Sequence, residues 1–431
     1  MAATSRRTVI SGIGALNALG PDTAAVWKGI LEGQCGIRPI SLFDASGLPV
    51  RIAAEIPGFD AKKYIPKEEK EARKSLKMMA RTIELAVAAS NLALADGAVD
   101  KSKLDRTRFG CEFGSGLIAM ELKDVGEAAL ISTNGTPGQV DMKRWGREGL
   151  ETIEPLWMLK YLPNMLACHV SILHDAQGPN NSITESDVAS LLALGEAHRI
   201  LARDGADFFL VGGAESKVNP LSLVRQCLFE QLSHRNEEPA KSCRPFDRKR
   251  DGLVLGEGGT VLVVEDLEHA RKRGARIYAE VIGFGAAFDA RRSGSGIARA
   301  IRIALAEAGI TPNDVDHINA HGLGSIDSDV WEARGIHEVF GSCKPAIPVI
   351  ALKGAIGNLG AGAGLTELAI SVLGLHHGRL PPTLNHDEPD PACPVTVHTG
   401  APRPARSPYA LKIGFTQIGQ CAAVVVRKFT E

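Results

Sequence analysis

The chain has 431 residues, with 49 Lys+Arg against 50 Asp+Glu, and a formal net charge of −1. That balance excludes a global field drawing in nucleic acid or an anionic membrane. Hydrophobic residues at 44% and charged residues at 23% exclude extensive disorder. Aromatics at 5% and 46 glycines predict a core of Ala, Val, Ile and Leu with close backbone approaches.

The eight cysteines, at 35, 111, 168, 227, 243, 343, 393 and 421, form no C-x-x-C pair. Neither a zinc site nor a disulfide framework is expected. Thr8-Val9-Ile10, after Met1 to Arg7, is too short for a signal-peptide core. No apolar run reaches the roughly 18 residues of a membrane span, so a cytoplasmic setting is expected.

In chain order, residues 8–13 read as a strand ending at Gly12 and Gly14. Residues 23–32 read as a helix, with Asp22 as N-cap and Gly33 as stop. Residues 75–94 read as one long amphipathic helix. Strands are expected at 208–212, 259–265, 276–283, 317–320 and 422–426, and helices at 189–202 and 296–308. Strands alternating with helices predict an α/β fold. Residues 8–20 and 277–288 each give a strand followed by Gly-x-Gly-Ala, a hint of two similar halves. The polar stretch 233–251 and the Pro/Asp-rich 381–394 read as surface loops.

Four places could carry chemistry. Asp187 stands just before the helix at 189–202, where an Asp suits an N-cap and where a helix N-terminus favours an anion. Glu185 is two residues upstream, and paired carboxylates favour retaining a proton. His321 opens the turn His321-Gly322-Leu323-Gly324-Ser325. Lys353 precedes a glycine-rich stretch, 354–364, that contains Asn358 and lacks the Gly-Lys-Ser/Thr of a phosphate loop.

The order of longer motifs is more specific. Gly178-Pro179-Asn180, Gly212-Gly213-Ala214-Glu215 and Arg244-Pro245-Phe246-Asp247 come first. Leu255-Gly256-Glu257-Gly258, Ala320-His321-Gly322 and Lys353 with Gly357 and Gly364 follow. From about residue 6 to 428 the chain resembles the β-ketoacyl-acyl carrier protein synthases, the elongating condensing enzymes of the thiolase fold. The resemblance implies an α/β, five-layered α/β/α/β/α sandwich of two similar halves. The halves are expected at 1–265, with cap insertions, and 266–431. It implies a homodimer, or a heterodimer with an active ketosynthase, pairing strands near 180–186. Acyl carrier protein is the implied partner, its phosphopantetheine carrying the substrate, with no other cofactor and no metal.

The same resemblance assigns the site residues. The family's nucleophilic cysteine falls at Asp187, its two catalytic histidines at His321 and Asn358, and its lysine at Lys353. Glu185, Ser325, Phe415 and Gln417 fall at substrate-binding places. A carboxylate is a poor acyl acceptor from a thioester, because the product is a reactive mixed anhydride. Asn358 can still donate to a thioester oxygen. The family's Phe-Gly-Phe-Gly-Gly-Thr-Asn gate loop becomes the run from Phe415 to Cys421. Together these departures imply a non-condensing homologue of fatty acid or polyketide biosynthesis, a chain-length-factor-type partner of an active ketosynthase. The alternative is a malonyl-carrier decarboxylase or altered acyl-transfer enzyme using His321, Asn358 and Asp187.

Overall fold

A computed structural model describes residues 6–133, 135–136 and 138–430; residues 1–5 of the N-terminus lie outside them. The first half carries β1 (Thr8–Asn17), α1 (Thr23–Leu31), α2 (Arg81–Asp96), β2 (Phe109–Gly114) and α3 (Met165–His174). It continues with β3 (Asn180–Ile183), α4 (Ala189–Ala202), β4 (Phe208–Ser216), α5 (Pro220–Phe229) and β5 (Glu257–Asp266). The second half carries β6 (Ala279–Phe288), α6 (Ser295–Ala308), β7 (Val315–Asn319), α7 (Ile326–Phe340) and β8 (Pro348–Ile350). It ends with α8 (Ala363–His377), β9 (Thr396–Val397), β10 (Tyr409–Phe415) and β11 (Gln420–Lys428).

These strands order as β9-β8-β7-β10-β11-β6-β1-β5-β4-β2-β3. The junction in the middle is thin: Thr8, Val9 and Ile10 of β1 pair with Val281, Glu280 and Ala279 of β6. Either side of it, one topology occurs twice. Strands β3, β2 and β4 are parallel neighbours, followed by antiparallel β5 and β1. Strands β8, β7 and β10 are parallel neighbours, followed by antiparallel β11 and β6. The two Gly-x-Gly-Ala strands are the first strand of each half.

Alternation along the strands sends side chains into separate apolar layers. Val261 and Val263 of β5 face α2 and α3, whereas Leu262 and Val264 face α4 and α8. Helices α6 and α7 cover the other half, against Val315, Ile318, Leu411 and Val425. The result is five layers, α/β/α/β/α. Helix α8 runs through the central layer and is buried over 13 of its 15 residues. Its sequence is accordingly apolar nearly all round.

Glycines set the distance between sheet and outer helices. A Cβ on Gly14 would stand 2.1 Å from the Ala89 carbonyl oxygen of α2. A Cβ on Gly285 would stand 2.1 Å from the Ala300 carbonyl oxygen of α6. The repeated motif thus does the same packing task in both halves.

Three expectations are corrected by tertiary contacts. The helix expected over 75–94 is broken: Ala80 is extended (ψ 160) and α2 starts at Arg81. The Arg81 guanidinium pairs with both oxygens of Glu257 at 2.6 Å, which fixes the new helix start. The strand expected from 276 begins at Ala279, with the Tyr278 hydroxyl bonded to Asp96. The polar loop 233–251 is partly interior, with Arg244, Phe246, Asp247 and Arg250 buried. Arg244 pairs with Asp247 and Asp387, and Arg250 with Asp390, so its charges are neutralised inside the protein.

Gly14→Ala is expected to destabilise the fold by about 1–3 kcal/mol through overpacking. Gly47→Ala, with nothing within 4 Å of its added Cβ, should stay within about 0.5 kcal/mol. Urea unfolding midpoints measure both.

Candidate active site

Helix α4 is entered through a tight turn, Ser186–Val188, in which Ser186 takes a positive φ of 48°. The turn directs Asp187 into a cavity of about 260 Å³. Asp187 caps no helix, contrary to the N-cap expectation. Its Oδ1 instead accepts a hydrogen bond of 3.1 Å from the Asn358 amide nitrogen. No cysteine lines this cavity, and all eight cysteines are free thiols.

Charged neighbours come from the end of β4 and the end of α5. Lys217 Nζ stands 3.7 Å from Glu215 Oε1 and 4.0 Å from Asp187 Oδ1. Burial would lower the Lys217 ammonium, but Glu215, Asp187 and Glu230 outweigh it and hold it above the ordinary lysine value. Burial raises the Glu215 carboxyl, although it accepts the Ala361 backbone N–H. Burial, then the Asp187 charge, raises Glu230, which also accepts from the Gln417 amide. Sequence reasoning missed Lys217 and Glu230, and quoted Glu215 without a role. Glu215 is a near neighbour of Lys217 in the chain, but Asp187 and, for Glu230, Gln417 are distant in sequence, so no local pattern marked the cluster.

Behind Asn358 lies a second, fully buried cluster. Lys353 Nζ donates to the His321 carbonyl oxygen at 2.7 Å and to Glu367 Oε1 at 2.6 Å. It also stands 3.1 Å from His321 Nδ1. A lysine ammonium only donates, so Nδ1 is the acceptor and the ring proton sits on Nε2. Lys412 Nζ stands 2.6 Å from the other Glu367 oxygen and donates to the Ala320 carbonyl at 3.0 Å. Glu332 holds the turn from the other side, accepting the His321 and Gly322 backbone N–H groups at 2.6 and 2.8 Å. Burial, then the Lys353 and Lys412 charges, push the His321 pKa well below the usual range. The imidazole is therefore neutral at pH 7. Phe415 lies edge-on to it, with ring centroids 4.9 Å apart. The His321 Nε2 atom is buried without a partner among the described residues.

The expected site residues thus fall into two adjoining groups. Asp187, Asn358 and Gln417 line the cavity; His321, Lys353 and Phe415 form the buried cluster behind it. The expected carboxylate partner of Asp187 is replaced, since Glu215 and Glu230 share the cavity wall and Glu185 does not. Ser325 is off this wall, its hydroxyl donating to Gln231 Oε1 at 3.1 Å. The run from Phe415 to Cys421 forms a turn between β10 and β11, closed by Thr416 N–H to the Gln420 carbonyl at 2.8 Å.

Duplicated halves meeting at a central pair of helices, with His321 and Asn358 near the start of α4, define a thiolase-like ketosynthase fold. The match to family models agrees: Beta-ketoacyl synthase, N-terminal domain, over residues 5–270, and the C-terminal domain over 278–387. The chain belongs to the β-ketoacyl synthase family. It is 36% identical over 394 residues to a 3-oxoacyl-[acyl-carrier-protein] synthase 2 of Vibrio cholerae, covering 90% of each chain. The ishigamide ketosynthase/chain length factor superposes with TM-score 0.85 and 27% identity, over 99% of this chain and 100% of that one. AntDE:AntF, a type II polyketide synthase acyl-carrier protein complexed with its ketosynthase, superposes with TM-score 0.82 and 26% identity. That match covers 99% of this chain and 100% of the other.

Two measurements check the site. Glu367→Ala leaves two buried lysines sharing no carboxylate and should cost about 3–5 kcal/mol in urea unfolding. Nitrogen-15 NMR of the imidazole should show His321 protonated on Nε2, with no titration between about pH 5.5 and 8. A transition near pH 6.5, the reference value for histidine, would contradict the neutral buried ring.

Proposed function

We propose that this chain is a non-condensing β-ketoacyl synthase homologue that works as a chain-length-factor-type partner of an active ketosynthase. Its setting is the cytoplasmic synthesis of a fatty acid or polyketide. The acyl chain arrives on the phosphopantetheine of acyl carrier protein, with no further cofactor or metal required. One observation carries the reading: the cavity at the start of α4 presents the Asp187 carboxylate, bonded to Asn358, and no thiol. A thiolate attacking a thioester exchanges one thioester for another at nearly equal energy. A carboxylate would produce a mixed anhydride, more reactive than the thioester consumed, so no acyl-enzyme accumulates.

The structural likeness to the ishigamide ketosynthase/chain length factor supports the reading, and the synthase 2 relatives support the pathway class. Strand β3 ends the sheet, and its outer edge pairs with no strand among the described residues. That edge suits pairing with a second ketosynthase subunit, identical or different.

A second reading is favoured by the intact buried cluster. Malonyl-carrier decarboxylation breaks a C–C bond, releases CO₂ and leaves the electron pair as a thioester enolate, later protonated at carbon. A neutral His321 with its proton on Nε2 is the form that stabilises the enolate oxygen. Asn358 is less suited to help, because its amide already donates to Asp187.

Incubation of the protein with malonyl- and acyl-carrier protein, followed by intact masses, tests both readings. Unchanged carriers, and co-purification with an active ketosynthase, are expected. Acetyl-carrier protein formed by the native protein and lost in His321→Ala would replace the partner reading by the decarboxylase. A β-ketoacyl product would overturn both.

A further inference from the structure

The cavity beside Asp187 is poorly suited to hydrocarbon. Its wall presents five ionisable side chains: Asp187, Glu215, Lys217, Arg225 and Glu230. The amides of Gln226, Asn358 and Gln417 add further donors and acceptors. Large or medium apolar contributions come from Leu117 and Leu253 alone. An unsubstituted acyl chain placed here would remove water from these groups and return no hydrogen bond. Stripping polar groups without compensation outweighs what apolar burial gains.

The polar groups also have unused capacity. Lys217 Nζ is ion-paired with its two carboxylates at 3.7 Å and 4.0 Å, longer than a close hydrogen bond, so it has capacity for a further, closer acceptor. Lys217 is not a surface residue in passing: its side chain lines the cavity and is only 12% exposed. The Arg225 guanidinium, at the exposed end of the wall, has no hydrogen bond or ion pair among the described residues. Glu230 is bonded to Gln417 through one oxygen, which leaves the other to accept from a hydroxyl. Donors and acceptors therefore converge on one space of about 260 Å³.

Resting on the reading that this cavity receives the acyl end of a carrier-bound thioester, we propose that its occupant is a short acyl group carrying hydroxyl, keto or amide functions. Lys217 and Arg225 donate to its oxygens, and Gln226 and Glu230 select for a hydroxyl or amide hydrogen. Plain fatty chains are rejected by this cavity. As a chain-length factor, the protein would then admit an oxygenated intermediate and stop a reduced one.

Calorimetric titration of the whole protein with two pantetheine thioesters tests this. The probes are 3-hydroxybutyryl-pantetheine and octanoyl-pantetheine, which share the arm and differ only in the acyl group. The hydroxylated probe should bind about tenfold tighter or more, because a site built for a hydroxyl discriminates strongly against its absence. Gln226→Leu and Glu230→Leu should weaken the hydroxylated probe and strengthen the octanoyl one. Gln226 is half-buried on α5 and its side chain has no hydrogen bond among the described residues, so that variant remains informative even if Glu230→Leu fails to fold. Tighter binding of octanoyl-pantetheine by the unmodified protein would overturn this inference and leave the acyl-site reading standing. Failure of both probes to bind would overturn both.

Discussion

One buried carboxylate organises the centre of this protein. Glu367, on a helix buried over nearly its whole length, is shared by Lys353 and Lys412 at 2.6 Å each, and all three side chains are inaccessible to solvent. Charges cannot be buried singly at tolerable cost, so these three must be brought together before the core closes. Lys353 follows β8, Lys412 lies in β10 and Glu367 lies in α8, so the ion cluster locks three elements of the second half into one register. It also sets the chemistry next door. Both lysines donate to the carbonyls around His321; burial and then their charges keep the ring neutral, and Lys353 places its proton on Nε2.

The duplicated topology explains why the site is where it is. Each half repeats the same strand order, and the glycines of β1 and β6 let α2 and α6 approach the sheet closely. With outer helices so placed, the central layer is left to α4 and α8, whose N-terminal turns meet at the middle of the molecule. Leu365 N–H of α8 donates to the Ser190 hydroxyl of α4 at 3.3 Å. Asp187 enters from one half, and Asn358 and His321 from the other. The site is a product of packing between halves and belongs to neither alone.

Its electrostatics separate two tasks that the family places side by side. The His321 cluster is dry and internally neutralised. The cavity in front of it is lined by polar side chains, carries opposed charges with distances too long for full pairing, and contains no thiol. That combination suits recognition of a polar group more than formation of an acyl-enzyme. It also gives Asp187 a role through Asn358, Lys217 and the neighbouring carboxylates, in place of the helix cap that its position suggested.

Order of motifs along the chain pointed to the family and the α/β class, the repeated Gly-x-Gly-Ala openings hinted at two similar halves, and the family resemblance singled out Asp187, His321, Lys353 and Asn358 as expected site positions. Strand cores such as that of β5 were legible because alternation and β-branched residues are local signals. The break before Arg81 was not, because Glu257, 176 residues away, creates it. Nor was the burial of Arg244 and Arg250, whose neutralising Asp387 and Asp390 lie more than a hundred residues downstream. Lys217, Glu230, Glu367 and Lys412 carried no local signature at all. A charge reads as surface in sequence; only the tertiary structure decides which charges find partners inside, since pairing depends on distance in space and desolvation, and neither is a property of neighbours along the chain.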